Sequence, residues 1–289
     1  MGLSVGFNRL PSGLANALYP AVRYTSLMRA LEMRLLQPWV RSVEGWRVAD
    51  VGSGHGFYSL DPARRGARQV SCDLERKALL SAQQIAESLG VGGQALFVAA
   101  NGEALPLADS AFDLVVCNCV LEHIGDDGAA LGAMARALRP GGILFLTVDN
   151  REHSLALGFL DRLPASWKVR LLWAQVADAP TVSEGLDARL DSLYAVLRRY
   201  RRDELAGALT DEGLTLLDSQ SYLSGVGAAH YEAFHAIRAL DPARGFGRIL
   251  WMLSSLLLYP LAAWSDNRRT ATGHGLAFVA RKGDGPKIG

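Results

Sequence analysis

Residues 48–60 read VADVGSGHGFYSL, and the rest of the chain is organised around this stretch. An apolar run leads into glycines at the alternate positions 52, 54 and 56, and a sequence compatible with a helix follows. Glycine has no side chain to hold a ligand away from the backbone, and it tolerates the positive φ angles of a tight turn. The stretch therefore predicts a buried strand that passes into a nucleotide-binding loop at the start of a helix.

The spacing of these glycines differs from that of dinucleotide-binding folds. In those folds the third glycine comes three positions after the second, and here that position holds Phe57. A bulky aromatic side chain there argues against a pyrophosphate cofactor, and so against a nicotinamide-dependent dehydrogenase. Asp50, two positions before the first glycine, adds a carboxylate to the end of the predicted strand.

The composition excludes several classes of protein. The 289 residues carry a formal net charge of +1 and no long run of one sign, so nucleic acid is not an expected partner. Cys72, Cys117 and Cys119 lack the spacing of a metal site and are typical of a reducing compartment. The N-terminus has no uninterrupted apolar stretch of the secretory type. We therefore expect a cytoplasmic protein.

Downstream of the loop, predicted strands alternate with predicted helices. Strand-like segments follow one another at 69–73, 95–99, 112–118 and 143–148. Helix-like segments separate most of them, and a Pro-Gly-Gly turn precedes the last strand. This alternation predicts an α/β fold with a parallel sheet.

Four segments occur in an order that resembles the class I S-adenosylmethionine-dependent methyltransferases. They are the glycine loop with Asp50, the strand ending in Asp73, the FDLV and LEH stretch of 112–123, and the LRPGG stretch of 138–142. The resemblance is to the broad branch of that family that acts on small molecules, lipids and sugars. It implies a Rossmann-like, mostly parallel sheet with an antiparallel seventh strand, and S-adenosylmethionine as the cofactor.

The resemblance also implies which residues hold this cofactor. Asp73 would accept hydrogen bonds from both ribose hydroxyls, or in a purely structural alternative would cap the next helix. Leu74 would touch the adenine, and Asn101, where the family usually has Asp, would accept from the adenine amino group. The full expected set is Asp50, Gly52, Ser53, Gly54, Gly56, Asp73, Leu74, Asn101, Gly102 and Asn118.

Methyl transfer from a sulfonium needs mainly a dry pocket that holds the nucleophile near the methyl group. Where the acceptor must lose its proton early, His123 is the candidate base, since it follows the fourth strand and histidine titrates near neutral pH. The alternative is that Glu122-His123 only begins the next helix. Asp149-Asn150 resembles the metal-binding pair of catechol-type enzymes, but Asn118 replaces one of their anionic ligands, so no metal is expected.

The remainder of the chain predicts helical additions to this core. Residues 1–20 are predicted to be irregular, a helix covers 27–35, and the segment 151–200 reads as mostly helical. Strands at 214–219 and 275–281 would complete the sheet, and the long connection between them requires a folded insertion. The expected units are an N-terminal helical cap at 1–45, the cofactor-binding core at 46–150, a helical cover with the sixth strand at 151–221, an apolar helical insertion at 222–274, and the seventh strand and tail at 275–289.

Within the insertion, residues 249–264 are uncharged and strongly apolar. They are shorter than a bilayer span, and three alternatives remain: a transmembrane helix, a helix at a membrane surface formed by 246–265, or a buried lid or homodimer helix. An interfacial helix would place aromatic side chains at headgroup level and arginines on the phosphates: Trp251, Tyr259, Trp264, Arg244, Arg248, Arg268 and Arg269.

These features favour O-methylation of a hydrophobic or lipid-linked small molecule, such as a glycolipid, an isoprenoid or a polyketide. The protein would be cytoplasmic, or peripheral at the inner face of the membrane if the apolar helix is interfacial. Two alternatives stay open. One is N- or C-methylation of a soluble sugar or small metabolite, and the other is a catalytically silent partner protein with the same fold.

Overall fold

The computed structural model describes residues 11–22, 26–56, 59–153, 196–240, 245–266 and 273–283. Its strands are β1 (Arg47–Val51), β2 (Arg68–Asp73), β3 (Ala95–Ala99), β4 (Phe112–Asn118), β5 (Leu138–Asp149), β6 (Leu214–Tyr222) and β7 (Gly275–Lys282). Its helices are α1 (Ser12–Val22), α2 (Leu27–Leu36), α3 (Asp61–Arg64), α4 (Arg76–Ser88), α5 (Asp127–Ala137), α6 (Arg202–Asp211), α7 (Gly225–Leu240) and α8 (Gly245–Asp266).

The strands form one sheet in the order β3-β2-β1-β4-β5-β7-β6. The pairs from β3 to β5 are parallel, whereas β7 runs antiparallel to both β5 and β6. The prediction of a Rossmann-like, mostly parallel sheet with an antiparallel seventh strand is therefore confirmed. Because β1 and β4 are neighbours, their carboxyl ends enclose a crevice of the kind that holds ligands in open α/β sheets.

Helices cover both faces of the sheet. In β4, Val115 and Cys117 belong to the core layer that includes α5 and α6, while Leu114 and Val116 belong to the layer that includes α2. Both sets are buried, so β4 reads as an unbroken apolar run rather than an alternating one. This double burial places the loop that follows β4 at the centre of the molecule.

The N-terminal segment departs from the prediction. Residues 12–22 form α1, where an irregular segment was expected because of Gly13 and Pro20. Ala15 and Tyr19 of this helix are fully buried, and this packing outweighs the weak helix propensity. Pro20 cannot donate to the carbonyl of Asn16, and Arg64 donates to that oxygen instead, at 3.3 Å.

From the sequence, the Asp61-Pro62 pair is expected to break the first helix after the glycine loop, because proline cannot continue the hydrogen bonds of a helix. The pair instead begins the short helix α3, with Pro62 in the first turn. A proline is tolerated there because the first N–H groups of a helix have no partner within the helix.

The predicted helical segment at 151–200 lies largely outside the described residues, since the structure describes 151–153 and 196–200 of it. The predicted insertion between β6 and β7 is helical and consists of α7 and α8. Across the described ranges, no helix combines the length and the apolarity that crossing a membrane requires.

Helix α8 is held to the body of the protein along one face and at its carboxyl end. Ala262 is fully buried against α2, and Arg34 of α2 donates to the carbonyl of Ala263 at 2.9 Å. The carboxylate of Asp266 accepts from the backbone N–H groups of Leu223 and Ser224 at 2.9 and 2.7 Å. The helix is therefore fixed relative to the start of α7.

Candidate cofactor and acceptor site

The glycine loop lies at the carboxyl end of β1, and its three glycines differ in what surrounds them. All have positive φ angles, of 73° at Gly52, 54° at Gly54 and 69° at Gly56. A Cβ atom at Gly52 would lie 2.2 Å from Val120, and one at Gly56 would lie 2.5 Å from the Cβ of Ala82. At Gly54 such an atom would meet no atom within 4 Å among the described residues. Two glycines thus permit close packing of the protein, and the middle one borders open space.

Asp73, at the end of β2, holds this loop through its carboxylate. Its Oδ2 accepts from the N–H of Gly54 at 2.7 Å, and its Oδ1 accepts from the N–H of Glu75 at 2.8 Å. Glu75 is the N-cap residue of α4 and no side chain caps that helix, so Asp73 holds the residue before the helix rather than its first turn. Each carboxylate oxygen has a second lone pair for a further donor. Leu74 follows with 75% of its surface exposed.

Asn101 and Gly102 lie beyond β3, on the turn that precedes β4. The side-chain carbonyl of Asn101 accepts from the N–H of Glu103 at 3.2 Å, so it caps the short 3₁₀ turn Gly102–Ala104. Its second lone pair is the one that could accept from a ligand. A Cβ atom at Gly102 would lie 2.4 Å from Ile124, so this position is closely packed.

Several buried polar atoms around the crevice lack a hydrogen-bond partner within the described part of the chain: Asp50 Oδ2, Ser53 Oγ, His55 Nδ1 and Asn118 Oδ1. Burial raises the pKa of Asp50 to about 7, against the opposing effects of the Ser59 hydroxyl and the positive charge of Arg29. Buried polar groups without partners are costly, and proteins keep few of them without a reason. This cluster fits a polar ligand that supplies donors and acceptors at the end of β1.

The loop after β4 forms the other wall. Cys119 has a positive φ of 52°, an uncommon conformation for a residue other than glycine. In the 3₁₀ turn Leu121–His123, Glu122 points inward and is buried, whereas the predicted base His123 is exposed. Burial, reinforced by the nearby carboxylate of Asp149, raises the pKa of Glu122 well above its usual value. The only sequence signal for Glu122 was its place beside His123.

A second buried carboxylate, that of Glu32 on α2, has no counterpart in the sequence prediction. Its Oε1 accepts from the hydroxyl of Tyr222 at 2.6 Å and from the thiol of Cys119 at 3.2 Å, and Arg29 donates to its Oε2 at 2.7 Å. Burial raises the pKa values of the Tyr222 hydroxyl and the Cys119 thiol, so both remain protonated donors. Glu32 thereby joins α2 to the carboxyl ends of β4 and β6. A lone glutamate in an amphipathic helix carries no signal that would reveal this role.

Comparisons with known proteins identify the family of this chain. Residues 49–146 match the family described as "Methyltransferase domain". The Ubiquinone biosynthesis O-methyltransferase of Rhizobium rhizogenes is 31% identical over 170 residues, which cover 55% of this chain and 67% of that protein. The chain belongs to the class I S-adenosylmethionine-dependent methyltransferases. Members of this family use S-adenosylmethionine, which is the cofactor that the motifs predict.

Two further matches define how far this methyltransferase likeness extends. The Ubiquinone biosynthesis O-methyltransferase of Parvibaculum lavamentivorans is 34% identical over 154 residues, covering 50% of this chain and 58% of that protein. The chain spans about half the length of the first curated relatives that it matches. A crystal structure of an S-adenosylmethionine-dependent methyltransferase from Mesorhizobium loti aligns with a TM-score of 0.55 at 19% identity, over 89% of this chain and all of that one. At that identity the likeness shows the methyltransferase fold alone.

Proposed function

We propose that this protein transfers a methyl group from S-adenosylmethionine to a hydroxyl oxygen of a hydrophobic or lipid-linked acceptor. The observation that carries the proposal is its similarity to proteins named ubiquinone biosynthesis O-methyltransferases, joined to an apolar helical insertion beside the crevice. In this proposal residues 46–150 bind the cofactor, 1–45 cap it, and 151–221 with 222–274 bind the acceptor.

The cofactor would occupy the crevice at the ends of β1 and β4. Asp73 would accept from the ribose hydroxyls with the lone pairs that its backbone bonds leave over, and the exposed Leu74 would cover one side of the adenine. Asn101 and the N–H of Gly102 would meet the edge of the adenine ring. The amino-acid end would satisfy the buried polar cluster, which includes Asp50 and Asn118.

The bound cofactor supplies an electrophilic methyl group on a good leaving group, so the protein's contribution is mainly to position the acceptor and exclude water. The open space at Gly54 admits the cofactor against bare backbone. The inner wall after β4 is lined by the buried Glu122, whose pKa is raised by burial, and this favours the neutral carboxyl group, which can donate a hydrogen bond. His123, the base that the sequence predicts, is exposed at the end of this wall.

A lipid surface is the proposed source of the acceptor, because the outer face of α8 is apolar and exposed. Its exposed side chains recur at helical spacing: Leu253, Leu256, Leu257, Leu261 and Trp264. Leu257 has 79% and Trp264 has 58% of its surface exposed. No charged residue occurs between Ile249 and Ser265. A helix of this kind can lie in the interface plane with its apolar face among the acyl chains.

Of the predicted aromatic anchors, Tyr259 is half-buried in the core, and the side chain of Trp251 lies outside the described part.

The cofactor half of the proposal is tested by calorimetric titration with S-adenosylhomocysteine beside NADH. Micromolar binding of the first ligand alone is expected. Acceptor class is then tested with a radiolabelled methyl donor and two hydroxyl acceptors, a polyprenylated catechol in mixed micelles and the same catechol without its tail. We expect a kcat/KM at least tenfold higher for the polyprenylated acceptor. Equal values, or transfer to a soluble sugar or amine alone, would refute the lipid-linked class.

The membrane contact is tested by flotation with vesicles of phosphatidylcholine and phosphatidylglycerol. Leu257→Glu places a charge on the outer face of α8, and Leu80→Glu is the matched control because Leu80 is 60% exposed on α4. We expect the first variant to lose vesicle binding and the second to retain it. Retained binding in Leu257→Glu would refute the contact, and a dimer that dissociates in the same variant would identify a second copy of this chain as the occupant.

A further inference from the structure

Beyond the crevice, the carboxyl edge of the sheet carries a buried histidine and carboxylate pair. His274 immediately precedes β7, and its Nε2 lies 2.6 Å from Oε1 of Glu232 on α7. Glu232 is fully buried and His274 is 7% exposed. Sequence motifs did not single out either residue, since they are 42 positions apart and neither belongs to a recognised pattern.

The backbone around His274 is held from several sides. The N–H of His274 donates to the carbonyl of Leu223 at 3.2 Å, and its carbonyl accepts from the N–H of Asn150 at 2.7 Å. The side chain of Asn150 donates to the carbonyl of Gly273 at 2.8 Å. The glycines on either side are required by Tyr222, because a Cβ atom at Gly273 or Gly275 would lie 2.2 Å from it. The imidazole is therefore carried on a rigid support.

His274 lies at the carboxyl edge of the sheet. Gly275 is paired with Asp149 of β5, so His274 is level with Asn150, whereas the end of β4 is level with Thr147. Two strand spacings across the sheet and three residues along it therefore separate His274 from the end of β4, which is about 14 Å. That separation leaves room for an acceptor between the crevice and the imidazole. An ionised Glu232 takes the hydrogen of Nε2, which leaves the lone pair on Nδ1.

We propose that His274 is the general base of methyl transfer, with Glu232 as the residue that positions it; this inference rests on the proposed function. The acceptor oxygen forms its bond to the methyl carbon as the bond from that carbon to sulfur breaks, and the electron pair of the broken bond stays on sulfur. The acceptor proton passes to Nδ1 of His274. The imidazolium that results is stabilised by the carboxylate beside it.

Other charged and titratable groups lie close to the pair. The ring of His153 lies 4.6 Å from that of His274, and Nη1 of Arg199 is 3.1 Å from both nitrogens of His153. Tyr231 of α7, with its ring 5.3 Å away, is the other described titratable group against this imidazole.

A general base at His274 predicts which class of acceptor the protein methylates. A base is useful only for an oxygen that is protonated at neutral pH, such as an alcohol or a weakly acidic phenol. His274→Gln removes the base but keeps an amide that can donate to Glu232. We expect its kcat to fall about 100-fold or more on a weakly acidic phenol, and less than tenfold on a nitro-substituted phenol that is already ionised.

A merely structural role would lower both rates by the same factor, and that result would overturn the proposal. Asp109→Asn is the control, because Asp109 is an exposed carboxylate before the amino end of β4 that pairs with Arg136, and this variant should keep both rates. Glu232→Gln should shift the acidic limb of the kcat/KM profile to lower pH, because the imidazolium loses its carboxylate. An unshifted limb would contradict the positioning role.

A measurement that does not require catalytic turnover tests the pair of His274 and Glu232 directly. Nitrogen-15 NMR of the histidine side chains, assigned by the loss of signals in His274→Gln, should show His274 as the Nε2–H tautomer. An Nδ1–H tautomer would overturn the inference, whatever the activity. Wild-type protein that methylates no hydroxyl acceptor would overturn the proposed function, and this inference with it. An active wild type with an equally active His274→Gln would overturn this inference alone.

Discussion

The hydroxyl of Tyr222 donates to Oε1 of Glu32 at 2.6 Å, which joins residues 190 positions apart in the chain. Tyr222 ends β6 and Glu32 lies in the middle of α2, so this bond ties the N-terminal cap to the far end of the sheet. Both residues are almost completely buried. The buried carboxylate of Glu32 thus helps to fix the position of α2 over the carboxyl edge of the sheet.

We predict that Glu32→Gln lowers the free energy of unfolding by about 2–4 kcal/mol, because its amide cannot replace a charged acceptor of several donors. Tyr222→Phe should cost about 1.5–3 kcal/mol. Urea denaturation of both variants and of the double variant measures the coupling. The double variant should be more stable than the sum of single costs implies, by about 1 kcal/mol or more. If the two single costs simply add, the hydrogen bond between Tyr222 and Glu32 contributes no coupling energy.

Substitutions in the glycine loop should distinguish an effect on ligand binding from an effect on folding. Gly54→Ala adds a methyl group to open space at a positive φ, so we expect a cost of about 1–2 kcal/mol in stability and at least a tenfold loss of S-adenosylhomocysteine affinity. Gly52→Ala should destabilise the fold more strongly, because its Cβ would overlap Val120. Calorimetry and thermal melts distinguish the two effects. Unchanged affinity in Gly54→Ala would mean that the cofactor does not lie against this residue.

Replacing Asp73 by Ala should weaken binding of S-adenosylhomocysteine by about 10- to 100-fold, as expected for the loss of a charged acceptor worth about 1.5–3 kcal/mol. Asp109→Ala is the control, since Asp109 is an exposed carboxylate paired with Arg136. Titration with the 2′-deoxy analogue of S-adenosylhomocysteine measures the contribution of the ribose 2′-hydroxyl alone. Wild type should bind this analogue more weakly than the parent ligand, and Asp73→Ala should bind the two alike. A preference that survives the substitution would assign the hydroxyl to another residue.

Asp50 makes the stability of the unliganded protein depend on pH. Its pKa is about 7 in the folded state, above the ordinary value of 3.8, so the folded state binds the proton more tightly than the unfolded state. Stability from this group is therefore fully present below about pH 4 and declines as the pH rises to about 7, by up to about 1.4 kcal/mol per pH unit.

Asp50→Asn removes this dependence. In denaturation series at pH 5, 6, 7 and 8, the variant should become progressively more stable than wild type up to about pH 7, and the difference should then level off. The same variant should bind S-adenosylhomocysteine more weakly, because the buried carboxylate is proposed to meet the cofactor. A constant difference in stability across the series would show that Asp50 does not titrate in this range.

The positions of the proposed cofactor residues along one edge of the sheet could be predicted from the sequence, because these residues follow successive strands. The glycine loop, Asp73 and Asn101 follow three successive strands, and in a parallel sheet the carboxyl ends of those strands share one edge. A short motif at the end of each strand therefore predicts where its residues lie in the fold as well as which residues they are. The antiparallel β7 was expected from the family resemblance and not from a local pattern.

The buried polar contacts of Glu32 and His274 could not be predicted in this way. Glu32 and His274 find their partners only through the order of the strands and the packing of helices across them. Apolar periodicity indicates which face of a helix is buried, but not which polar side chain on that face meets another. Helix α1 was missed for a related reason, since burial of Tyr19 supplies stability that local propensity does not report.

The place of β7 between β5 and β6 has a consequence for synthesis of the chain. Strand β6 ends at Tyr222 but pairs only with β7 among the described strands, and β7 begins at Gly275. While the ribosome is still making the insertion, β6 has no neighbour, whereas β1 to β5 have already emerged. Chains fold from the N-terminus as they are made, and contacts across long separations form late. The cofactor crevice can therefore assemble on a nascent chain, and the edge that carries Tyr222 and His274 is completed only when the last strand leaves the exit tunnel.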